Sequence, residues 1–282
     1  MEQRLLGKTG AKLSVVGFGG ILCTDTTPEE SSRMVAEAID ADITYFDVAP
    51  SYGNAEERLG PALEPYRAKV FLACKTGRRD KAGALEELHA SLKRLRTDHF
   101  DLYQLHAVTT DKDLETIFGP GGAMEALVEA KQAGLVRHLG FSAHSEEAVV
   151  GCLEHFAFDS VLFPTNYLCA QLGGFGPKAF AAIHGKGAGH LALKSLGLGQ
   201  VVKDEKRRWS KCWYQPLDNA ELVSISLRWT LSQGVTAAPT PGHPELFRMA
   251  VATANAGLGA PTDDELASLR AVLGDRPPVF RV

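Results

Sequence analysis

Eight short apolar runs, each bounded by glycine or polar residues and separated by segments with helical periodicity, constrain this chain more than any other feature of its sequence. They are Val15 to Gly19, Thr44 to Ala49, Val70 to Lys75, Phe100 to His106, His138 to Ser142, Ser160 to Asn166, His190 to Ser195 and Val235 to Thr240. Near-continuous apolar strands are the kind buried on both faces, which is the situation in a parallel sheet covered by helices. Eight strands each followed by a helix predict one α/β domain over residues 1–282, a (β/α)₈ barrel, with an open doubly wound sheet as the competing arrangement. Ahead of the first run, Gln3 to Val16 carries apolar residues on both sides of a Gly/Thr/Gly turn and reads as an N-terminal hairpin.

Start and stop chemistry places the helices independently of the periodicity. Thr27-Pro28-Glu29-Glu30 is a capping box with proline in the first turn. Leu85, Leu88, Leu92 and Leu95 recur at steps of three and four and form one buried stripe. Asp218 with Glu221, and Thr262 with Glu265, are expected to open the last two helices, and Gly134 to close a middle one.

Composition excludes several classes of function. Thirty basic against 34 acidic side chains give a net charge of −4, and the longest cationic run is Lys206-Arg207-Arg208, so no nucleic-acid partner is expected. No stretch approaches 18 uninterrupted apolar residues, and MEQRLLGKTG has no basic segment followed by an apolar core; neither a membrane span nor a leader is expected, and the location predicted is the cytoplasm. Five widely spaced cysteines (Cys23, Cys74, Cys152, Cys169, Cys212) cannot all pair and form no CxxC, so they are expected to be reduced and buried, without a metal.

Four ionisable or hydroxylated side chains fall at the ends of adjacent strand candidates: Asp47 and Tyr52 after the second, Lys75 closing the third and His106 closing the fourth. In a parallel barrel all strand C-termini open on one face, so these four are predicted to converge. A tyrosine titrates near 10, and a buried Lys75 beside Tyr52 would lower that value, with Asp47 as the partner the ammonium needs. His106 would then donate to the substrate oxygen that Tyr52 protonates. Such a site lacks a nucleophile pair and a metal cluster, but it completes a hydride transfer to a carbonyl if a nicotinamide lies beside it. Neither Gly17-Phe18-Gly19-Gly20 nor Gly197-Leu198-Gly199 makes a GxGxxG turn, so a dinucleotide would have to lie across barrel loops. The polar, aromatic segment from Gln200 to Gln215 follows the seventh strand and is either a loop covering substrate or a surface loop packed on the rim.

The chain resembles the aldo-keto reductase family in Gly17-Phe18-Gly19-Gly20, in the stretch from Tyr45 to Gly60 (YFDVAPSYGNAEERLG), in Ser91 to Leu95 and in Asp98 to His106. The resemblance implies a barrel that reduces aldehydes or ketones, or oxidises alcohols or sugar lactols, with NADP or alternatively NAD and no metal. Its catalytic tetrad falls on Asp47, Tyr52, Lys75 and His106. Cofactor contacts are expected from Gly19, Ser142, Asn166, Lys194, Gly242 and Arg248, and substrate contacts from Val48, Tyr52, Phe141 and Trp213. The cofactor half departs from the family pattern: the asparagine usual after Ser142 is Ala143, the usual sixth-strand glutamine is Leu162 with Asn166 as a partial substitute, and the nicotinamide-stacking aromatic is Leu193. Those departures keep a second reading open, a nucleotide-binding regulatory subunit of the same fold. A hydrolase or aldolase using Lys75 as a Schiff-base amine is disfavoured because Asp47 would hold that lysine charged.

Overall fold

In the computed structural model, which describes residues 1–203, 205 and 207–282, the eight predicted runs all lie in one parallel sheet. Its strands are β3 (Val16–Gly19), β4 (Tyr45–Asp47), β5 (Phe71–Thr76), β6 (Phe100–Val108), β7 (Val136–Ala143), β8 (Ser160–Pro164), β9 (Gly189–Leu193) and β12 (Ala238–Pro239), in the order β12-β3-β4-β5-β6-β7-β8-β9. Strand β12 returns to β3 through Ala238 opposite Val16, and Leu191 of β9 bridges Ala237 just ahead of β12. The sheet is thus a nearly closed (β/α)₈ barrel, and the open doubly wound alternative is set aside.

The hairpin of β1 (Gln3–Leu5) and β2 (Lys12–Ser14) closes one end. Its Leu6 and Leu13, fully buried, pack with Tyr45, Phe71, Leu102, Leu162 and Leu191 inside the barrel. The larger apolar layer lies between strands and helices, where Phe18, Phe46, Phe100, Tyr103 and Phe141 face outward. Strand C-termini, by contrast, carry the buried polar residues Asp47, Lys75, Thr76 and Ser142.

Helix signals were mostly obeyed. Thr27 forms its capping box with Glu30 at the head of α1 (Pro28–Asp40), and Thr262 does the same with Glu265 for α11 (Asp263–Leu273). Leu88, Leu92 and Leu95 are buried along and just after α3 (Lys81–Arg94), and Gly134 takes φ +77° just past α5 (Ala123–Gln132). One cap differs from the expectation: Asn219, not Asp218, accepts the amides of Glu221 and Leu222 at the start of α9 (Ala220–Ser232). Asp218 instead accepts the Trp209 indole N–H at 3.2 Å.

Two strands shorten for local reasons. The run from Ser160 stops at Pro164 because Asn166 turns to cap α7 (Tyr167–Gly173) by accepting the Cys169 amide. That from His190 stops at Leu193 because Lys194 adopts φ +60°. Beyond it, an unforeseen antiparallel ribbon of β10 (Gly197–Gln200) and β11 (Tyr214–Pro216) carries the 200–215 segment, of which Asp204 and Lys206 lie outside the described residues. All five cysteines are free and buried, and among the described residues no helix is long and apolar enough to cross a membrane.

Candidate active site

Asp47 ends β4 with its carboxylate buried among three donors. Lys75 Nζ donates to Oδ1, while Tyr45 Oη at 3.1 Å and Gln104 Nε2 at 3.0 Å both donate to Oδ2. Parallel register produces this arrangement, since Asp47 pairs with Ala73 on β5 and Lys75 in turn with Gln104 on β6. The Lys75 ammonium, 1% exposed, also donates to the Val48 carbonyl at 3.2 Å and lies 5.3 Å from the centroid of the Tyr52 ring. Burial works against its charge, but Asp47 and Tyr52 beside it outweigh that and hold its pKa above the ordinary lysine value.

Tyr52 meets His106 edge to face, ring centroids 6.0 Å apart at 85°. All four side chains, Asp47, Tyr52, Lys75 and His106, line one cavity of about 170 Å³ at the C-terminal ends of the strands. The predicted convergence is therefore present in the geometry. The expected direction of the Tyr52 shift is not: burial raises its pKa above the ordinary value, with Lys75 pulling down and Asp47 pushing up. An ammonium already neutralised by its carboxylate presents the phenol with an ion pair rather than a bare cation, and so offsets only part of the desolvation. His106 is pushed the other way, to about 3, by burial and by the neighbouring Lys75 cation. Its imidazole is neutral at pH 7; Nδ1 lies 3.4 Å from Ser51 Oγ.

The remaining predicted contacts divide. Gly19, Ser142, Lys194, Gly242 and Trp213 line the cavity. At Gly19 a Cβ would lie 2.1 Å from the Thr240 carbonyl oxygen, so only glycine lets β3 and the turn after β12 approach this closely. Lys194 Nζ sits 5.3 Å from the centroids of both Trp213 and Tyr214, and its pKa is lowered to about 8 by burial.

Asn166, Arg248, Val48 and Phe141 are not among the lining residues. Asn166 is committed to capping α7 and to donating from Nδ2 to the Lys194 carbonyl, so it shapes the wall rather than facing the cavity. Arg248, on α10 (Pro244–Ala256), makes a two-pronged pair with Glu37 of α1 at 2.6 and 2.8 Å. Val48 is fully buried under Gly20, and Phe141 packs edge-on against Phe158, centroids 4.8 Å apart. Both follow an inward-facing neighbour or precede one, Asp47 and Ser142, and strand alternation turns them outward.

Sequence reasoning missed Gln104, which reads as part of an apolar run and holds Asp47 from behind, and His144, Lys211, Cys212 and Tyr214, which face the cavity. The last three come from the 200–215 segment or its edge. That segment crosses to the first strand's loop: Lys211 Nζ donates to the Leu22 carbonyl at 3.0 Å, the Lys211 amide donates to His243 Nε2 at 3.1 Å, and its side chain covers Gly242.

A sequence model of the Aldo/keto reductase family matches residues 15–172, a span that holds Asp47, Tyr52, Lys75 and His106. The chain belongs to the aldo/keto reductase family. Among similar proteins, the uncharacterized oxidoreductase YqkF of Bacillus subtilis is 34% identical over 157 residues, covering 51% of this chain and 49% of that protein. Aldo-keto reductase YhdN of the same organism is 33% identical over 166 residues, with 52% and 48% covered. Those matches take in about half the length of these family members. The uncharacterized oxidoreductase YrpG, also of B. subtilis, matches at 32% over 294 residues, 86% of this chain and 87% of that one. Among solved structures, the holo form of an aldo-keto reductase of Bacillus halodurans superposes with a TM-score of 0.72 at 24% identity over 96% of each chain, and shares the barrel fold.

Proposed function

We propose that this aldo-keto reductase is an NAD(P)H-dependent oxidoreductase that reduces a small aldehyde, ketone or sugar carbonyl, or runs the reverse oxidation. The observation that carries this reading is the meeting of a phenol, an ion-paired ammonium and a neutral imidazole in one cavity. Tyr52 acts as the general acid, giving its proton to the carbonyl oxygen. His106, uncharged, donates an N–H to the same oxygen, so developing negative charge meets two preorganised donors. Lys75 favours the phenolate left behind, and Asp47, fixed by Tyr45 and Gln104, keeps Lys75 charged and in place.

The residues present fit a nicotinamide dinucleotide. The half-buried Lys194 ammonium lines the cavity and, among the described residues, has two aromatic rings rather than a carboxylate against it, so an anionic phosphate suits it. Gly19, which lets β3 pack against the Thr240 carbonyl, and Gly242, under the Lys211 side chain, both line the cavity and bring backbone to its wall. Ser142 completes the wall. Such a cofactor, when bound, supplies the hydride. NADP is the dinucleotide we favour, with NAD as the alternative; Arg248 is the cation proposed for the 2′-phosphate, its exposed pair with Glu37 being weak enough to exchange. A cytoplasmic location and one domain over the whole chain belong to the same proposal.

Leu162 at the cavity wall and Asn166 turned away from it favour one other reading, a nucleotide-binding subunit with little turnover. Steady-state oxidation of NADPH and NADH over a panel of aldehydes, ketones and sugars separates the two. Turnover that falls about 10²–10⁴-fold in Tyr52→Phe, with cofactor binding retained, supports the reductase. Tight binding with no turnover on any compound supports the subunit.

A further inference from the structure

His106 stands at an irregular corner. The β6–β7 ladder slips between Leu105 and Val108, and Ala107 adopts φ +52°, the left-handed region that a residue with a Cβ enters at a cost of about 1 kcal/mol or more. Such a conformation persists only where its surroundings impose it. Ser142 Oγ accepts the Ala107 amide at 2.7 Å, which fixes one side of the peptide. The other side is held by a residue from a different loop.

Arg79 lies in the turn between β5 and α3, four positions beyond Lys75. Its Nη2 donates to the carbonyls of His106 at 2.9 Å and of Ala107 at 3.1 Å. Its Nε donates at 2.7 Å to Asp113 Oδ1, in the first turn of α4 (Asp111–Phe118). Asp113 is itself held by the amides of Thr109 and Thr110, both at 3.1 Å, so the guanidinium is anchored at its far end before it reaches the corner. Among the described residues Nη1 is buried without a partner, a cost that the fold tolerates while keeping this placement. Arg79 does not line the cavity.

We infer that Arg79, anchored by Asp113, is a positioning residue for His106: it clamps the two carbonyls that bracket the left-handed corner and so sets the direction in which the imidazole enters the cavity. The guanidinium cation also adds, behind burial, Lys75 and His144, to what keeps the ring neutral. A neutral ring aimed at the substrate oxygen is what the proposed reduction asks of His106, and this inference rests on that reading for its kinetic consequence only. The turn Gly77-Arg78-Arg79-Asp80 thereby links the strand that carries Lys75 to the strand that carries His106.

The test is Arg79→Met beside Arg79→Lys, in the full chain. Imidazole ¹H–¹⁵N correlations of His106 are assigned by their loss in His106→Gln. The expected result is that these signals shift in Arg79→Met while those of buried His190 stay in place. With a carbonyl substrate, kcat falls about 10–100-fold at a cofactor Kd within about twofold of the parent, as a misplaced donor requires, and Arg79→Lys recovers part of it. Unmoved His106 signals in the folded Arg79→Met protein overturn the inference, as does an unchanged kcat. If Arg79→Met does not fold, Asp113→Asn, which frees the guanidinium without removing it, is read by the same two criteria. Should the parent itself turn nothing over, the ring signals alone decide the clamp, and the failure falls on the reductase reading.

Discussion

Lys75 and Asp47 form a buried ion pair at the C-terminal ends of neighbouring strands, and every other element of the site is arranged around it. Tyr45 and Gln104 satisfy the second carboxylate oxygen, and the Val48 carbonyl takes another ammonium proton. Breaking a buried pair by removing one partner leaves an uncompensated charge, at about 3–5 kcal/mol. Asp47→Asn keeps the shape and strips the charge, so we expect it to lower the urea midpoint and to suppress kcat at nearly unchanged cofactor affinity. A variant as stable and active as the parent would mean that the pair is ornamental.

The chain's buried imidazoles dictate its acid limb. His190, 1% exposed, is held near pKa 3 by burial, with a contribution from His184, and His106 and His144 lie near 3 and 4 for the same first cause. The unfolded chain binds their protons near 6.5, so below that pH the unfolded state holds more protons than the folded one and stability falls as pH drops toward the folded values. Each group contributes a slope of about 1.4 kcal/mol per pH unit in that window. Unfolding free energies at pH 7, 6 and 5 should decline, and His190→Asn should shallow the decline; parallel curves for parent and variant would refute the assignment.

If Lys194 holds a cofactor phosphate, as proposed, cofactor binding has an alkaline limb. The Lys194 pKa near 8 in the free protein means that the ammonium is present at pH 7 and largely lost by pH 9. A bound phosphate favours the protonated form, so NADPH affinity should be flat below about pH 8 and weaken above it, by up to about tenfold per unit. Fluorescence titrations from pH 6.5 to 9.5 measure this. Lys194→Met should bind more weakly at pH 7 and lose the slope, whereas a slope unchanged in that variant would remove Lys194 from the phosphate site.

The order in which these features could be read has a physical basis. Strand ends were legible because a parallel barrel turns every one of them to the same face, so Asp47, Tyr52, Lys75 and His106 could be grouped across 60 residues of sequence with no knowledge of contacts. Capping boxes at Thr27 and Thr262 were legible because both halves of each are local. Asp218 and Asn219 are adjacent and equally able to cap, and the choice was made by Trp209, whose indole claims Asp218 from a loop. Val48 and Phe141 were misplaced although the signal existed: with Asp47 and Ser142 facing inward, a period of two sends their neighbours outward. Gln104 stayed hidden inside an apolar run, and Arg79 is invisible without the corner it holds.

Gly19 tests the closeness of the barrel's first and last strands. A methyl group there would sit 2.1 Å from the Thr240 oxygen, and that atom belongs to backbone that cannot rotate away. Overpacking of this kind costs about 1–3 kcal/mol or more. Gly19→Ala should therefore lower the thermal midpoint, and because Thr240 begins the turn that carries Gly242, it should also weaken dinucleotide binding. Full stability together with full affinity would show that β3 and β12 can part without consequence.

The proposed preference for NADP places Arg248 at the 2′-phosphate, and its pair with Glu37 makes that testable. Its guanidinium is paired with Glu37 through two contacts on an exposed surface, where such a pair is worth about 0–1 kcal/mol, so a 2′-phosphate carrying about two charges competes with it easily. Glu37→Ala removes the competitor. If Arg248 reaches the 2′-phosphate, this variant binds NADPH more tightly by up to about fivefold while NADH affinity is unmoved, and Arg248→Met abolishes the discrimination altogether. If both variants leave the NADPH to NADH ratio of dissociation constants where it was, the pair is a tie between α1 and α10 and Arg248 is removed from the 2′-phosphate site.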